Sequence, residues 1–480
     1  MITICDVGAA NERKVRLKFN KGRVEFECDD ILLERGFYWA KAMALSYVHE
    51  GDAVGEWYEA SLPGRNAFCI RDVAHYAIGA QILGLDAHNK NMLRKFAQGI
   101  SESKDFCSFW EITKDNVPLQ NDYTSDSDFW YNLPANFDIL QTCWRLFLWT
   151  NDHDYLHASD LNAFYNATVH DYIKVWDKNN DGIPERAVPG SRKGIPSYEE
   201  RDGYGTALMM SDLIAIQALA FDSYARIHRM KGNDYLFEKY TRKAVELREY
   251  YDKNWWDSDT NRFCSAMFED GSFDSPADGD EDVSILPLYY GLIINGEKLN
   301  GELERMRGCD SEFVEYLSYL PEVFYKYNLD EEAYKYILRL TDPKLKRREY
   351  PEVSYAVIAA ITIGIMGIEP NAENEMITTK NRLPEAVGTA RMDNIRVFGG
   401  EICVEQTGNS ATELRNRTGD RILWQPVFYG RHAEILVDGI ALDAKHDRDE
   451  NGEVFSYAVI PLENGYKARA EASKPEGDIV

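Results

Sequence analysis

The sequence predicts a mainly α protein: an (α/α)6 barrel, or six-hairpin toroid, with a short N-terminal β segment and a small C-terminal β-sandwich. Three observations lead there. Between about Leu32 and Gly367, apolar residues recur at helix spacing in about eleven stretches, close to the twelve helices that six hairpins need. Those stretches are of two kinds, nearly uncharged and amphipathic. Beyond Glu369 the period shortens to alternating runs broken by Gly, Asn and Asp.

The elements follow in order. "KVRLKF" and "RVEFEC" near the N-terminus alternate in the strand period. Helices are expected near residues 34–49, 72–84, 88–101, 134–149, 159–175, 206–231, 235–254, 285–295, 312–327, 330–340 and 353–367. "VSYAVIAAITIGIMG" carries no charge and "TALMMSDLIAIQALAFDSYARI" very little, so both must be wrapped by other elements, whereas "YLFEKYTRKAVELREYYDK" keeps a broad charged face. Repeated alternation of wrapped and half-exposed helices is what two concentric layers produce. A solenoid would need a repeat of fixed period, and none is present. "NIRVFGGEICVEQTG", "RILWQPVFYG" and "FSYAVIPLENGYKARAEAS" read as antiparallel strands and turns. The expected domains are residues 1–31, 32–374 and 375–480.

Composition narrows the partners. A net charge of −26 over 480 residues repels phosphate backbones and excludes nucleic acid as a natural partner. A neutral sugar feels little of that field. The 8 cysteines are scattered, with no CxxC pair, and read as free thiols. The N-terminus lacks a basic-then-apolar signal, and the longest uncharged stretch, Val353 to Ile368, is too short for a bilayer. A cytoplasmic location, no membrane, no cofactor and no metal are the expectations. Assembly into a homo-oligomer is left open.

Four segments carry candidate chemistry. In "PSYEERDGYGT", Glu199 and Glu200 follow a Gly/Pro-rich loop and precede a nearly uncharged helix. A carboxyl at such a junction is either a solvated helix start that complements the dipole or a screened acid fit to protonate a leaving oxygen. In "LPGRNAFCIRDVAHY", Arg71 and Asp72 head an apolar helix, with Arg65 nearby and His75 on the same helix face. The pair either ties loops together or grips hydroxyls, Asp72 accepting and Arg71 donating. In "SDSDFWYNLPANFDIL", Asp128 stands beside Trp130 and Tyr131. These rings, like Trp57 and Trp110, are either core or sugar platforms. In "REYPEVSYAV", Glu352 heads the most apolar helix of the chain. Glu322, in the parallel phrase "YLPEVFY", is its competitor. The acidic loop "DSPADGDEDVS" adds Asp278, Asp280 and Asp282, more simply read as solvated. "WDKNNDGIPE" spaces Asp177, Asn179 and Asp181 like a calcium loop, but the twelfth-position acid would fall on Val188. An Asx-turn cluster explains the same residues.

"SYEERDGYGTAL" resembles the glucoamylase-type motif in which Trp-Glu-Glu precedes an inner barrel helix, with Tyr198 in place of the Trp. It is also similar to the Tyr-Asp-x-Trp segment of β-glucosidases with the same barrel. The Arg71–Asp72 segment resembles the aromatic-x-Arg-Asp motif of the first barrel loop in those enzymes. The resemblance implies an exo-acting, inverting glycoside hydrolase of the six-hairpin superfamily acting on an oligosaccharide or glycoside. It implies Glu199 as general acid after Tyr198, and Glu352 as general base before the last inner helix. Arg71, Asp72, His75, Asp128, Trp130, Tyr198, Glu200, Arg201 and Trp57 would hold the sugar. The related barrels also carry an Asp-x-Asn/Asp-x-Asp-Gly loop just before the acid, binding a cation or closing as a turn. The rivals are a lyase recruiting Tyr198, His75 and Tyr204, a phosphorylase with a basic phosphate site, and a non-catalytic sugar-binding protein.

Overall fold

The computed structural model describes residues 21–186, 193–198, 206–274, 284–309 and 311–474. Its α-helices of five residues or more alternate in burial along the chain: α1 (Ile31–Ser46), α2 (Ile70–Ile82), α3 (Asp86–Gln98), α4 (Ala135–Thr150), α5 (Ser159–Ala167), α6 (Ser211–Met230), α7 (Asp234–Asn254), α8 (Ile285–Tyr289), α9 (Gly296–Arg307), α10 (Leu320–Lys326), α11 (Asp330–Thr341) and α12 (Pro351–Ala360). Every residue of α12 is buried, whereas the 21 residues of α7 bury only Tyr240, Ala244, Leu247 and Tyr251. Sequence dictates this. α12 offers no charged side chain after Glu352, so every face must be covered, whereas α7 offers one apolar stripe and a charged back.

The even-numbered helices meet one another in turn. α2 packs on α4, α4 on α6, α6 on α8 and α8 on α10; α10 meets the π turn Ile361–Ile365 that prolongs α12, and α12 returns to α2. Of the odd-numbered helices, α1 packs on α12 and α11, α3 on α2, α5 on α3, α7 on α6 and α11 on α10. The α2–α12 crossing is close because Gly79 has no side chain: a Cβ there would stand 2.2 Å from the Tyr355 carbonyl oxygen. That crossing brings the heads of α2 and α12 together.

Beside the helices and several two- and three-stranded ribbons, the described residues form two larger sheets. One has seven antiparallel strands in the order Glu25–Cys28, Thr389–Val397, Gly400–Thr407, Ala411–Arg417, Lys467–Ala472, Glu434–Val437 and Ile440–Asp443. The strand preceding α1 thus closes an edge formed by the C-terminal half of the chain. In the other, Met376–Lys380 runs parallel to Ile422–Tyr429. The two meet where the Thr412 hydroxyl reaches Thr379, whose oxygen also accepts the indole N–H of Trp424. Main-chain bonds from Ala372 to Leu148 and from Phe398 to Trp149 fasten these strands to the end of α4.

Several expected boundaries moved. Residues 207–210 pair as a strand with Ala266–Phe268 before α6 begins. The helix expected at 285–295 stops at Tyr289, before Gly291 takes a positive φ. Gly296–Arg307, too polar and glycine-interrupted to show a clear apolar stripe, is a helix the periodicity missed. The segment "KVRLKF" lies outside the described residues. Among the described residues no helix is long and apolar enough to cross a membrane. The described cysteines are free thiols, six of them buried.

Candidate active site

Four helices that meet in this way each place a carboxyl in the first turn: Asp72 on α2, Asp138 on α4, Asp212 on α6 and Glu352 on α12. Helix N-termini favour negative charge, by roughly 0.3–1 kcal/mol. Burial opposes it and wins here. Glu352 is 6% exposed, and burial, followed by the charge of Asp72, pushes its carboxyl up to about 8. Tyr76 donates to Glu352 Oε2 at 2.9 Å, which favours the ionised form without reversing the shift. Burial lifts Asp212 to about 7 and Asp138 well above the carboxylate range. Asp72 is less enclosed, with 19% of its side chain exposed. Its carboxyl rises to about 6 through desolvation, held back by Arg71, whose Nε lies 3.6 Å away.

Arg71 links the acids to the loop before α6. Its Nη1 donates to the Tyr198 carbonyl at 2.8 Å, and its guanidinium lies 5.4 Å from the centre of the Tyr198 ring. From the other side Asp212 Oδ2 accepts the Tyr198 main-chain N–H at 2.7 Å and the Ser197 hydroxyl at 2.9 Å. Asn132 donates to the Ser197 carbonyl. Tyr198 is thus clamped from α2 and α6 and is buried. His75 stacks on Tyr319 at 3.7 Å and 25°, with Nε2 3.0 Å from the Ser318 hydroxyl. Burial, with Arg145 and Arg71 nearby, lowers its imidazole to about 3, so it is neutral across the physiological range.

Among the described residues, four polar atoms in this group have no partner: Asp138 Oδ2, Asp212 Oδ1, the Tyr198 hydroxyl and His75 Nδ1. Buried polar atoms without partners are uncommon and costly.

The structure brings Arg71, Asp72, His75, Tyr198 and Glu352 together. Glu199, Glu200 and Arg201 lie outside the described residues, as do Asp278, Asp280 and Asp282. Trp57 is corrected to core: it is fully buried, one face stacked on His49 at 4.4 Å, its ring tilted against Phe68 and its N–H bonded to Asp52. No face is left for a sugar. Asp128 and Trp130 sit half-buried on the strand Asp128–Asn132, which pairs with Lys193–Ile195. The acid from that stretch of sequence that reaches the group is instead Asp138. Glu322 is engaged by Arg145, which also donates to Tyr289. Asp177 and Asn179 spend carboxylate and amide oxygens on the main-chain N–H groups of residues 180–182, as an Asx-turn cluster does. Asp138 and Asp212 were missed by the sequence reading. The signal was available, since each is the lone acid in the uncharged opening of its helix.

The sequence matches no known family profile and no curated protein. The fold does have solved counterparts. An α-L-rhamnosidase from Dictyoglumus thermophilum superposes with a TM-score of 0.61 at 15% identity, over 94% of this chain and 50% of that one. The GH78 family rhamnosidase of Bacillus sp. GL1 gives 0.59 at 11%, over 83% and 41%. A sialidase gives 0.55 at 11%, over 93% and 41%. The chain spans about half the length of these proteins or less. The likeness is one of fold.

Proposed function

We propose that this chain is a glycoside hydrolase working with paired carboxylates on the terminal sugar of an oligosaccharide or glycoside. The observation that carries the reading is the convergence of Asp72, Asp138, Asp212 and Glu352 from four helix heads, with burial pushing Asp72 to about 6, Asp212 to about 7 and Glu352 to about 8, and raising Asp138 as well. Carboxyls held in different protonation states within one site are what acid–base cleavage of a glycoside requires. The circuit of contacts from α2 through α12 supports a closed (α/α)6 barrel within residues 32–374, with 375–480 forming the sandwich domain. Acids at the heads of the inner helices would then floor a pocket closed at one end, which favours exo action.

In this proposal Glu199, next in sequence to the clamped Tyr198, protonates the glycosidic oxygen. Glu352 takes a proton from water attacking the opposite face, giving inversion. The base must be ionised, so the raised carboxyl of Glu352 gives the assignment a pH signature. kcat/KM, which reports groups of the free enzyme, should climb with pH through about 8. A kcat/KM that instead falls through that value makes Glu352 the acid. Glu199→Gln is expected to lower kcat on aryl glycosides by about a thousandfold with the circular-dichroism spectrum intact. Turnover within tenfold of the unsubstituted enzyme removes Glu199 from the acid role, and ¹H NMR of the first-formed anomer decides between inversion and retention.

A further inference from the structure

One hydroxyl at the α2–α12 crossing is held in place from several helices. Tyr76 lies on α2, a turn beyond Asp72 and a turn before Gly79, and is buried. Its ring runs parallel to that of Tyr355, with 10° between the planes and 5.4 Å between the centres. Tyr355 stands one turn after Glu352 on α12 and is itself fixed. Its ring tilts against Tyr58 at 5.0 Å, and its hydroxyl donates to the Ala44 carbonyl of α1 at 3.0 Å. Tyr58 in turn donates to Asn89 of α3 at 2.7 Å. With Gly79 letting the two helices close, the Tyr76 hydroxyl arrives at Glu352 Oε2, 2.9 Å away.

Other buried tyrosines, Tyr165, Tyr172 and Tyr355, donate to main-chain carbonyls. Tyr76 donates to an acid, and among the described residues it is the one side chain that donates to Glu352. A donor favours the form of its acceptor that carries more negative charge. That help matters most where burial and neighbouring acids oppose ionisation. The acids facing Glu352 are Asp72 on α2, with Arg71 beside it, and Glu315 on the short helix Val314–Leu317, which is paired with Arg347. Of the basic groups on the other helices packed against α12, Lys41 of α1 donates to the Val24 carbonyl, and Arg339 of α11 to those of Cys309 and Ser311. The π turn Ile361–Ile365 has no titratable side chain.

We infer that Tyr76 is a positioning residue for Glu352, its hydroxyl fixing the carboxyl against α2 and supporting the charge that a base must carry. This rests on the hydrolase reading for what Glu352 does to water, and not for the bond itself.

The test compares full-length proteins that differ by one hydroxyl, so every other charge at the site is held constant. Glu352 is followed by ¹³C NMR of labelled glutamate carboxyls, its resonance assigned by its loss in Glu352→Gln. Tyr76→Phe keeps the ring and its stack and should move the Glu352 midpoint up by about one pH unit. The rising limb of kcat/KM should move with it, so that activity at pH 7 falls by about tenfold and the loss narrows as pH increases. Tyr355→Phe removes the neighbouring hydroxyl from the same stack and should leave the midpoint where it is. An equal shift there would trace the effect to loosened packing and overturn the inference. So would a midpoint that Tyr76→Phe leaves unmoved or lowers. If Tyr76→Phe does not fold, as a thermal melt shows, tyrosine labelled with ¹³C at Cζ and incorporated at position 76 alone keeps the native protein. Its resonance should titrate at the Glu352 midpoint, and one that stays flat through that pH overturns the inference. A shifted midpoint in a protein that hydrolyses no aryl glycoside would refute the hydrolase reading and leave the hold on the carboxyl intact. Hydrolysis with a limb that Tyr76→Phe does not move would do the reverse.

Discussion

The heads of the even-numbered helices and the space between the two larger sheets both bury polar side chains, but they settle them differently. Between the sheets, fully buried Asn416 donates to the carbonyls of Asp420 and Leu462 and accepts the Thr418 N–H and hydroxyl. Its hydrogen-bonding capacity is used up. Gln406 and Asn381 each leave a carbonyl oxygen open there, but an uncharged amide tolerates that far better than an acid. At the helix heads the open groups among the described residues include two acids, Asp138 and Asp212, whose carboxyls are displaced toward the protonated form. A satisfied network stabilises; an unsatisfied one costs stability unless a ligand completes it.

That contrast can be broken by four substitutions. The largest effect is expected from Glu352→Gln, which should lower kcat by about a thousandfold while leaving the folded state at least as stable. The sign follows from linkage. The carboxyl rises from 4.5 in the unfolded chain to about 8 in the folded one, so its contribution to stability is complete below about pH 4.5 and lost as pH climbs through 8. The variant should therefore gain in Tm over the unsubstituted protein as pH increases across that window. An equal Tm difference at pH 4 and pH 8 would contradict it.

Gly79→Ala comes next. Its Cβ would press on the Tyr355 carbonyl, so a loss of about 3 kcal/mol is expected, together with a fall in kcat because the heads of α2 and α12 are forced apart. Chemical denaturation and turnover on one preparation would separate the two effects. Asn416→Ala should cost about 2 kcal/mol and leave kcat unchanged in the protein that remains folded; a kcat that drops with it would dissolve the distinction between the two regions. The smallest effect belongs to Glu322→Gln. Its pair with Arg145 is partly solvated, 25% of the Glu322 side chain being exposed, so a change within about 1 kcal/mol is expected. Turnover should stay near that of the unsubstituted enzyme. A thousandfold loss there, with Glu352→Gln active, would exchange the two glutamates.

The sequence alone determined most of the helical segments and which of those must be wrapped, because apolar spacing and the lack of charge in "VSYAVIAAITIGIMG" are local properties that burial has to respect. It also marked Arg71–Asp72 and Glu352, since an acid opening an uncharged helix stands out in one dimension. Tertiary structure decided which of these groups share a site. Asp72 and Glu352 are 280 residues apart and come together because Gly79 lets α2 and α12 cross closely. Trp57 and Trp130 illustrate the limit of local reading, because an aromatic residue looks the same in sequence whether its faces are covered or free. Asp138 and Asp212 acquired their character only when the surrounding helices removed water from them, and desolvation is a property of everything packed around a group, which no stretch of sequence carries on its own.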